Sequence, residues 1–216
     1  MKAQVPSLDC SLCPRLVDFR TENRRQYPDY HNAPVAAFGP DDAQLLILGL
    51  APGLKGANCT GRPFTGDYAG DLLYATLKKF NLAEGNYEKR SDDGLTLRGC
   101  RIVNAVRCVP PANKPTTDEI RTCNSFLASE LESLKQLTVV VALGRVAHDA
   151  LLMASGLKRS HFKFEHAAVH DLQKGVQLVD SYHCSRYNTN TGRLTETMFH
   201  DVFAKAQKLL SEKTES

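Results

Sequence analysis

No stretch of this sequence is apolar for long enough to cross a bilayer. The opening MKAQVPSLDC lacks the apolar core of a secretory signal. There is no P-loop, no dense cluster of carboxylates and no internal repeat. The first two absences argue against a membrane or exported protein, so we expect a soluble, cytoplasmic chain, acting as a monomer. The missing P-loop and carboxylates leave a metal-dependent nucleotide hydrolase with little support. Net charge is small too: a formal +3 permits nucleic-acid binding without demanding it, and any basic surface has to be local. What remains is ordinary globular composition over 216 residues, enough for one domain with a real core.

The chain is organised around residues 45–71, LLILGLAPGLKGANCTGRPFTGDYAGD. Leu45 to Leu50 is an unbroken apolar run, short enough for a buried strand. Glycines at 49, 53, 56, 61, 66 and 70 follow, interleaved with Pro52 and Pro63. Such a backbone lies against something flat or turns sharply. One aromatic, Phe64, and two acids, Asp67 and Asp71, sit inside it, and a helical pattern begins after Gly70. Strand, glycine-rich loop and helix describe a ligand site at the carboxyl end of a strand in an α/β sheet.

Three more buried-strand patterns follow, at 101–106, 138–143 and 176–182, alternating with helices near 117–134, 145–154 and 195–210. Thr116 and Glu119 form a capping box for the first of these helices. The pattern predicts a three-layer α/β/α sandwich around a four-stranded parallel sheet. A helix over 15–26 presents four arginines, read as a solvated face, and a disordered tail is expected from Ser211 to residue 216. Three post-strand loops, 51–71, 107–116 and 183–192, are chemically rich, and a parallel sheet gathers them on one edge.

Seven cysteines in a reducing compartment are better explained by metal or cluster ligation than by disulfides. Cys10 and Cys13 form a C-x-x-C, and Cys108 and Cys123 have fourteen residues between them. Together they make four thiolates, the complement for a [4Fe–4S] cluster or a zinc ion. Cys100 reads as core. Cys59 and Cys184 are free thiols in the site loops.

GLAPGLKGANCTGRPFTGDYAGD, RIVNAVRCVPPANKPT and SYHCSRYNTNTGRLT resemble the three signature segments of family 5 uracil-DNA glycosylases, the type-b branch. CPRLVDFR near the N-terminus and DDGLTLRG, ending at Gly99, fit the same pattern, so the resemblance covers nearly the whole chain. It implies the four-stranded sheet between helices and a [4Fe–4S] cluster on Cys10, Cys13, Cys108 and Cys123, which would tie down the N-terminal segment. It also implies excision of uracil, hypoxanthine and other deaminated bases from DNA. The family lacks the polar residue that related families carry after the first strand, and Ala51 agrees. Asn113 resembles the position of a proposed catalytic asparagine. Two residues depart from the pattern: Cys59 where arginine is usual, and Cys184 where proline is usual, the latter expected to loosen the DNA-contacting loop.

Cleaving an N-glycosidic bond builds positive charge on the sugar and negative charge on the departing base. A site then needs a carboxylate near C1′ and a donor near the base. Asp67 and His183 are the candidates, with Asp71 given the helix-capping role. Phe64 offers a flat face to a flipped base. Backbone amides around Ala51, Pro52 and Gly53 can read base edges without a dedicated side chain. Ser185, Arg186, Tyr187 and Asn188 supply a hydroxyl, a cation and a wedge, as a duplex-invading loop requires. A non-catalytic damage-binding module would use the same loops and leave no abasic site.

Overall fold

A computed structural model describes residues 2–214. Four parallel strands, β1 (Leu45–Gly49), β4 (Cys100–Asn104), β5 (Val139–Leu143) and β7 (Gln177–Ser181), form the sheet that the apolar runs predict. A fifth strand, β6 (Val169–Asp171), adds antiparallel to β7, giving the order β4-β1-β5-β7-β6. The expected four-stranded sheet thus gains an edge. Its three residues, Val-His-Asp, are largely exposed and carry no apolar signal. A small hairpin, β2 (Ala83–Glu84) with β3 (Thr96–Leu97), stands apart.

The apolar runs are continuous because both sheet faces are covered, and the period of two sorts their residues. Leu45, Ile47, Ile102, Val139, Val141 and Val179 face α3 (Tyr68–Lys79) and α7 (Glu196–Thr214). Leu46, Leu48, Val103, Val140 and Ala142 face α4 (Thr117–Ser133) and α5 (Arg145–Ala154). Each fully buried Leu, Ile or Val contributes about 1.5–3 kcal/mol over leaving it exposed. The capping box forms as read: Thr116 Oγ1 accepts from Glu119 N at 3.2 Å, and Glu119 Oε2 accepts from Thr116 N at 2.7 Å. The tail read from Ser211 is helical through Thr214, with Lys208 and Glu212 paired at 3.8 Å and Lys213 Nζ donating to Gly175 O. Residues 215 and 216 lie outside the described residues. Among the described residues, no helix is long and apolar enough to cross a membrane.

β1 connects outward to β4, whereas β5 connects in the other direction to β7. This reversal of strand order opens a crevice beyond the carboxyl ends of the strands. The short helices α2 (Ala57–Thr60) and α6 (Arg186–Asn190) lie in the loops after β1 and β7. The remaining helix, α1 (Pro14–Gln26), packs Leu16 against Phe126 of α4 in a separate small core.

Candidate active site

A cavity of about 530 Å³ opens at that edge, with walls from the loops after β1, β4 and β7. It brings together Ala51, Gly53, Phe64, Asp67, Asn113, His183, Ser185 and Arg186, which the sequence had placed in three separate loops. Pro52 is buried but does not reach the cavity wall.

Asp67 is the N-cap of α3: its Oδ1 accepts from Gly70 N at 3.0 Å. The capping role expected of Asp71 therefore belongs to Asp67. Asp71, one turn on, pairs with Lys89 Nζ at 2.8 Å and does not line the cavity. Capping uses one carboxylate oxygen of Asp67. The other, Oδ2, lies so close to the loop backbone that a Cβ at Gly56 would sit 2.7 Å from it. Phe64 lies in the left-handed region at φ 54°, with its ring beyond the end of β1. A Cβ at Gly49 would come within 2.6 Å of that ring, so the strand has to end in glycine for the aromatic to lie there. The ring stacks with His183, centroids 6.1 Å apart and planes 27° apart.

His183 follows β7 directly. Burial lowers its pKa below the ordinary imidazole value, against the opposing pull of Asp67, which makes the neutral ring the stable form near pH 7. Asn188, read as a DNA contact, donates from Nδ2 to His183 O at 2.8 Å and fixes the loop that carries the histidine. Ser185 caps α6, accepting from Asn188 N at 3.4 Å. Arg186 stacks over Tyr68 at 5.5 Å, and Tyr187 stands 73% exposed at the tip. Cys184 does not loosen this loop. It is fully buried in the core, with Sγ directed at Ala69 O, 3.5 Å away, and so joins the loop to α3.

Asn104 went unnoticed in the sequence. It ends β4, lines the cavity, and its Oδ1 is buried with no hydrogen-bond partner. The cavity thus carries an amide side chain besides the backbone around Ala51 and Gly53. The signal was there: Asn104 is the one polar residue within Ile-Val-Asn-Ala-Val. Asn113 is exposed at the mouth, and both it and Ala112 hold positive φ, at 55° and 53°.

A second pocket gathers Cys10, Cys13, Cys108 and Cys123 between the N-terminal segment, α1, the β4 loop and α4. Leu16, Val106 and Phe126 make it apolar. Burial pushes the Cys108 thiol up to about 12 and raises those of Cys13 and Cys123. Two donors reach the sulfurs: Arg107 N to Cys123 at 3.4 Å and Arg20 Nη1 to Cys108 at 3.7 Å. Arg20 is 4% exposed, so the arginines of α1 are not uniformly a solvated face. Arg20 Nε and Arg107 Nε and Nη1 are buried without partners. Buried, orphaned guanidinium donors beside four thiols suit an anionic metal–thiolate group. Elsewhere, potential ligand atoms of His148, His170 and Asp180 all lie within 4.8 Å of one another. That trio is engaged in hydrogen bonds. His148 contacts Asp180 at 2.8 Å and Phe162 O at 3.1 Å, and His170 contacts Asp180 at 3.1 Å.

The sequence profile of the Uracil DNA glycosylase superfamily matches residues 36–207, which span the whole sheet and all three cavity loops. The type-5 uracil-DNA glycosylase of Thermus thermophilus is 46% identical over 205 residues, 93% of each chain. That of Pyrobaculum aerophilum is 39% identical over 203 residues, 92% of this chain and 88% of its own. A type-4 uracil-DNA glycosylase from Archaeoglobus fulgidus is more distant, 29% identical over 153 residues, 69% of each chain. The chain belongs to the type-5 family of the uracil-DNA glycosylase superfamily.

Proposed function

We propose that this protein is a monofunctional DNA glycosylase. It hydrolyses the N-glycosidic bond of uracil, and of hypoxanthine and other deaminated bases, in DNA, leaving an abasic site and acting as a monomer. The observation that carries this reading is the convergence of Asp67, His183, Phe64 and Asn104 on one open cavity, from loops far apart in sequence. The target base must be flipped out of the duplex at a cost of about a few kcal/mol. Phe64 then stacks on it whatever its identity, and Asn104 offers both an acceptor and a donor to its edge. Asp67 orients water and stabilises the oxocarbenium-like sugar. Neutral His183 donates to the departing base. Asn113 completes the catalytic set from the mouth. Arg186 and Tyr187 hold and wedge the duplex. Labelled duplexes containing uracil or hypoxanthine, incubated without added metal and cleaved by alkali at abasic sites, test the reading directly. Binding without strand scission would mark a damage-binding module instead.

The four cysteines are proposed to hold a [4Fe–4S] cluster. The apolar pocket that gathers the four thiols and the buried arginine donors beside them support this reading. The cluster's role is to join the N-terminal segment to the β4 loop and α4. Iron analysis should give about four irons per chain. Stoichiometric zinc without iron in anaerobically purified protein would refute it.

A further inference from the structure

The excursion at 85–99 plays no part in the chemistry above, although its DDGLTLRG segment belongs to the sequence signature. Its residues converge on one short stretch of backbone, 62–66, which lies between the rest of the glycine-rich loop and Asp67. The Asp93 side chain is fully buried and its carboxylate accepts four hydrogen bonds. Two come from the Arg62 guanidinium at 2.7 Å each, and two from Glu88 N and Leu95 N at 3.0 Å each. Arg62, itself 4% exposed, also donates from Nε to Thr65 Oγ1 at 2.8 Å, and lies over the rings of Phe38, Tyr74 and Tyr87 at 5.1, 5.3 and 5.8 Å. Tyr74 stacks on Tyr87 at 4.5 Å and donates its hydroxyl to Pro63 O at 2.7 Å. The Tyr87 hydroxyl accepts from Gly66 N at 3.3 Å and lies 3.4 Å from Phe64 O.

These contacts hold a strained segment. Phe64 and Gly66 both have positive φ, 54° and 96°, and Phe64 pays steric strain for it. Such a conformation persists only where its surroundings over-determine it. Yet the excursion that supplies the restraint is mostly exposed and touches neither the cavity nor the cysteine pocket.

We infer that Asp93, Arg62 and Tyr87 are positioning residues: they clamp residues 62–66 so that the Phe64 ring and the Asp67 carboxylate stand in register across the cavity. The inference rests on the glycosylase reading, because register matters only if both groups act on one bound nucleotide. A displacement of about 1 Å in such a pair can cost about 100-fold in rate. Tyr87→Phe removes one hydroxyl, keeps the stacked ring and leaves the Arg62–Asp93 pair intact.

The test is single-turnover release of uracil by full-length Tyr87→Phe protein, run beside wild type well below the melting temperature. Duplex affinity, thermal stability and cofactor content are measured on the same preparations. The rate is expected to fall by about tenfold to a hundredfold, with duplex affinity within about twofold of wild type. Asp93→Asn should do the same more severely and also lower the melting temperature. A Tyr87→Phe rate within twofold of wild type would overturn the clamp, as would a loss that merely follows the fraction of unfolded protein. Wild-type protein unable to release uracil would instead overturn the glycosylase reading beneath it.

Discussion

The cysteine pocket and the cavity share a loop and are otherwise opposites. Residues 105–116 leave β4 and send Cys108 into one and Asn113 to the mouth of the other. In the cysteine pocket everything converges inward: apolar walls, four thiols and two buried guanidiniums, with no room left for a substrate. The cavity is open, and its polar groups are partly idle. Asn104 keeps an unpartnered oxygen, and Asp67 spends one carboxylate oxygen on its helix while the other faces the glycine loop. Spare hydrogen-bonding capacity at the open site marks where a ligand binds. Orphaned donors at the closed site suit the anionic cluster proposed there. Damage to the closed site should therefore cost stability first, and damage to the open one rate alone.

The largest effect is expected from Cys108→Ala. It should abolish iron binding and destabilise the fold by on the order of 4 kcal/mol or more, read by iron analysis and thermal unfolding. Unchanged unfolding would remove the structural role from the cysteine pocket.

His183→Ala comes next, with an unaltered fold and a single-turnover rate lower by about 10²–10³-fold. The loss should be greatest for the poorest leaving base. Because burial holds the imidazole pKa below its ordinary 6.5, the neutral donor persists as pH falls through that value. The wild-type rate should then stay level to below pH 6.5. A wild-type decline centred at or above pH 6.5 would contradict the neutral-donor assignment.

Phe64→Ala and Asn104→Ala should separate stacking from reading. The first should slow every substrate by about tenfold or more, as stacking is worth about 1–3 kcal/mol per base. The second should change the ratio of uracil to hypoxanthine release, because the donor and acceptor patterns of those edges differ. Equal losses across bases for both variants would deny Asn104 a selective role. The smallest effect belongs to Tyr187→Ala: a several-fold loss on duplex DNA and little on single strands, since only the duplex must be opened. Equal losses on both would assign Tyr187 to phosphate binding.

Much of this was legible in the sequence. The four parallel strands showed themselves as apolar runs, because a strand covered on both faces has no polar side to show. The capping box and the convergence of three loops followed from local chemistry and topology. What stayed hidden depends on where a side chain ends up in space. Asp67 and Asp71 are both acids near a helix start, and only the φ/ψ of Asp67 makes it the cap. Arg20 is one of several arginines on α1, and only packing turns it toward Cys108. Cys184 looks like a loop thiol until its burial against Ala69 is seen. β6 has three residues and one backbone partner strand, too little to leave a pattern.

The central claim is that the charge near the scissile bond belongs to Asp67 and not to Asp71. Asparagine caps helices as well as aspartate does, so Asp67→Asn removes the charge while leaving the start of α3 intact. The decisive measurement is the single-turnover rate of uracil release by Asp67→Asn beside Asp71→Asn, at equal folding and cofactor content. The expected result is a fall of at least about 100-fold for Asp67→Asn, roughly 2.7 kcal/mol of barrier, with binding to damaged DNA retained and Asp71→Asn within a few-fold of wild type. A near-wild-type Asp67→Asn beside an inactive Asp71→Asn would contradict the assignment and move the catalytic carboxylate one turn along the helix.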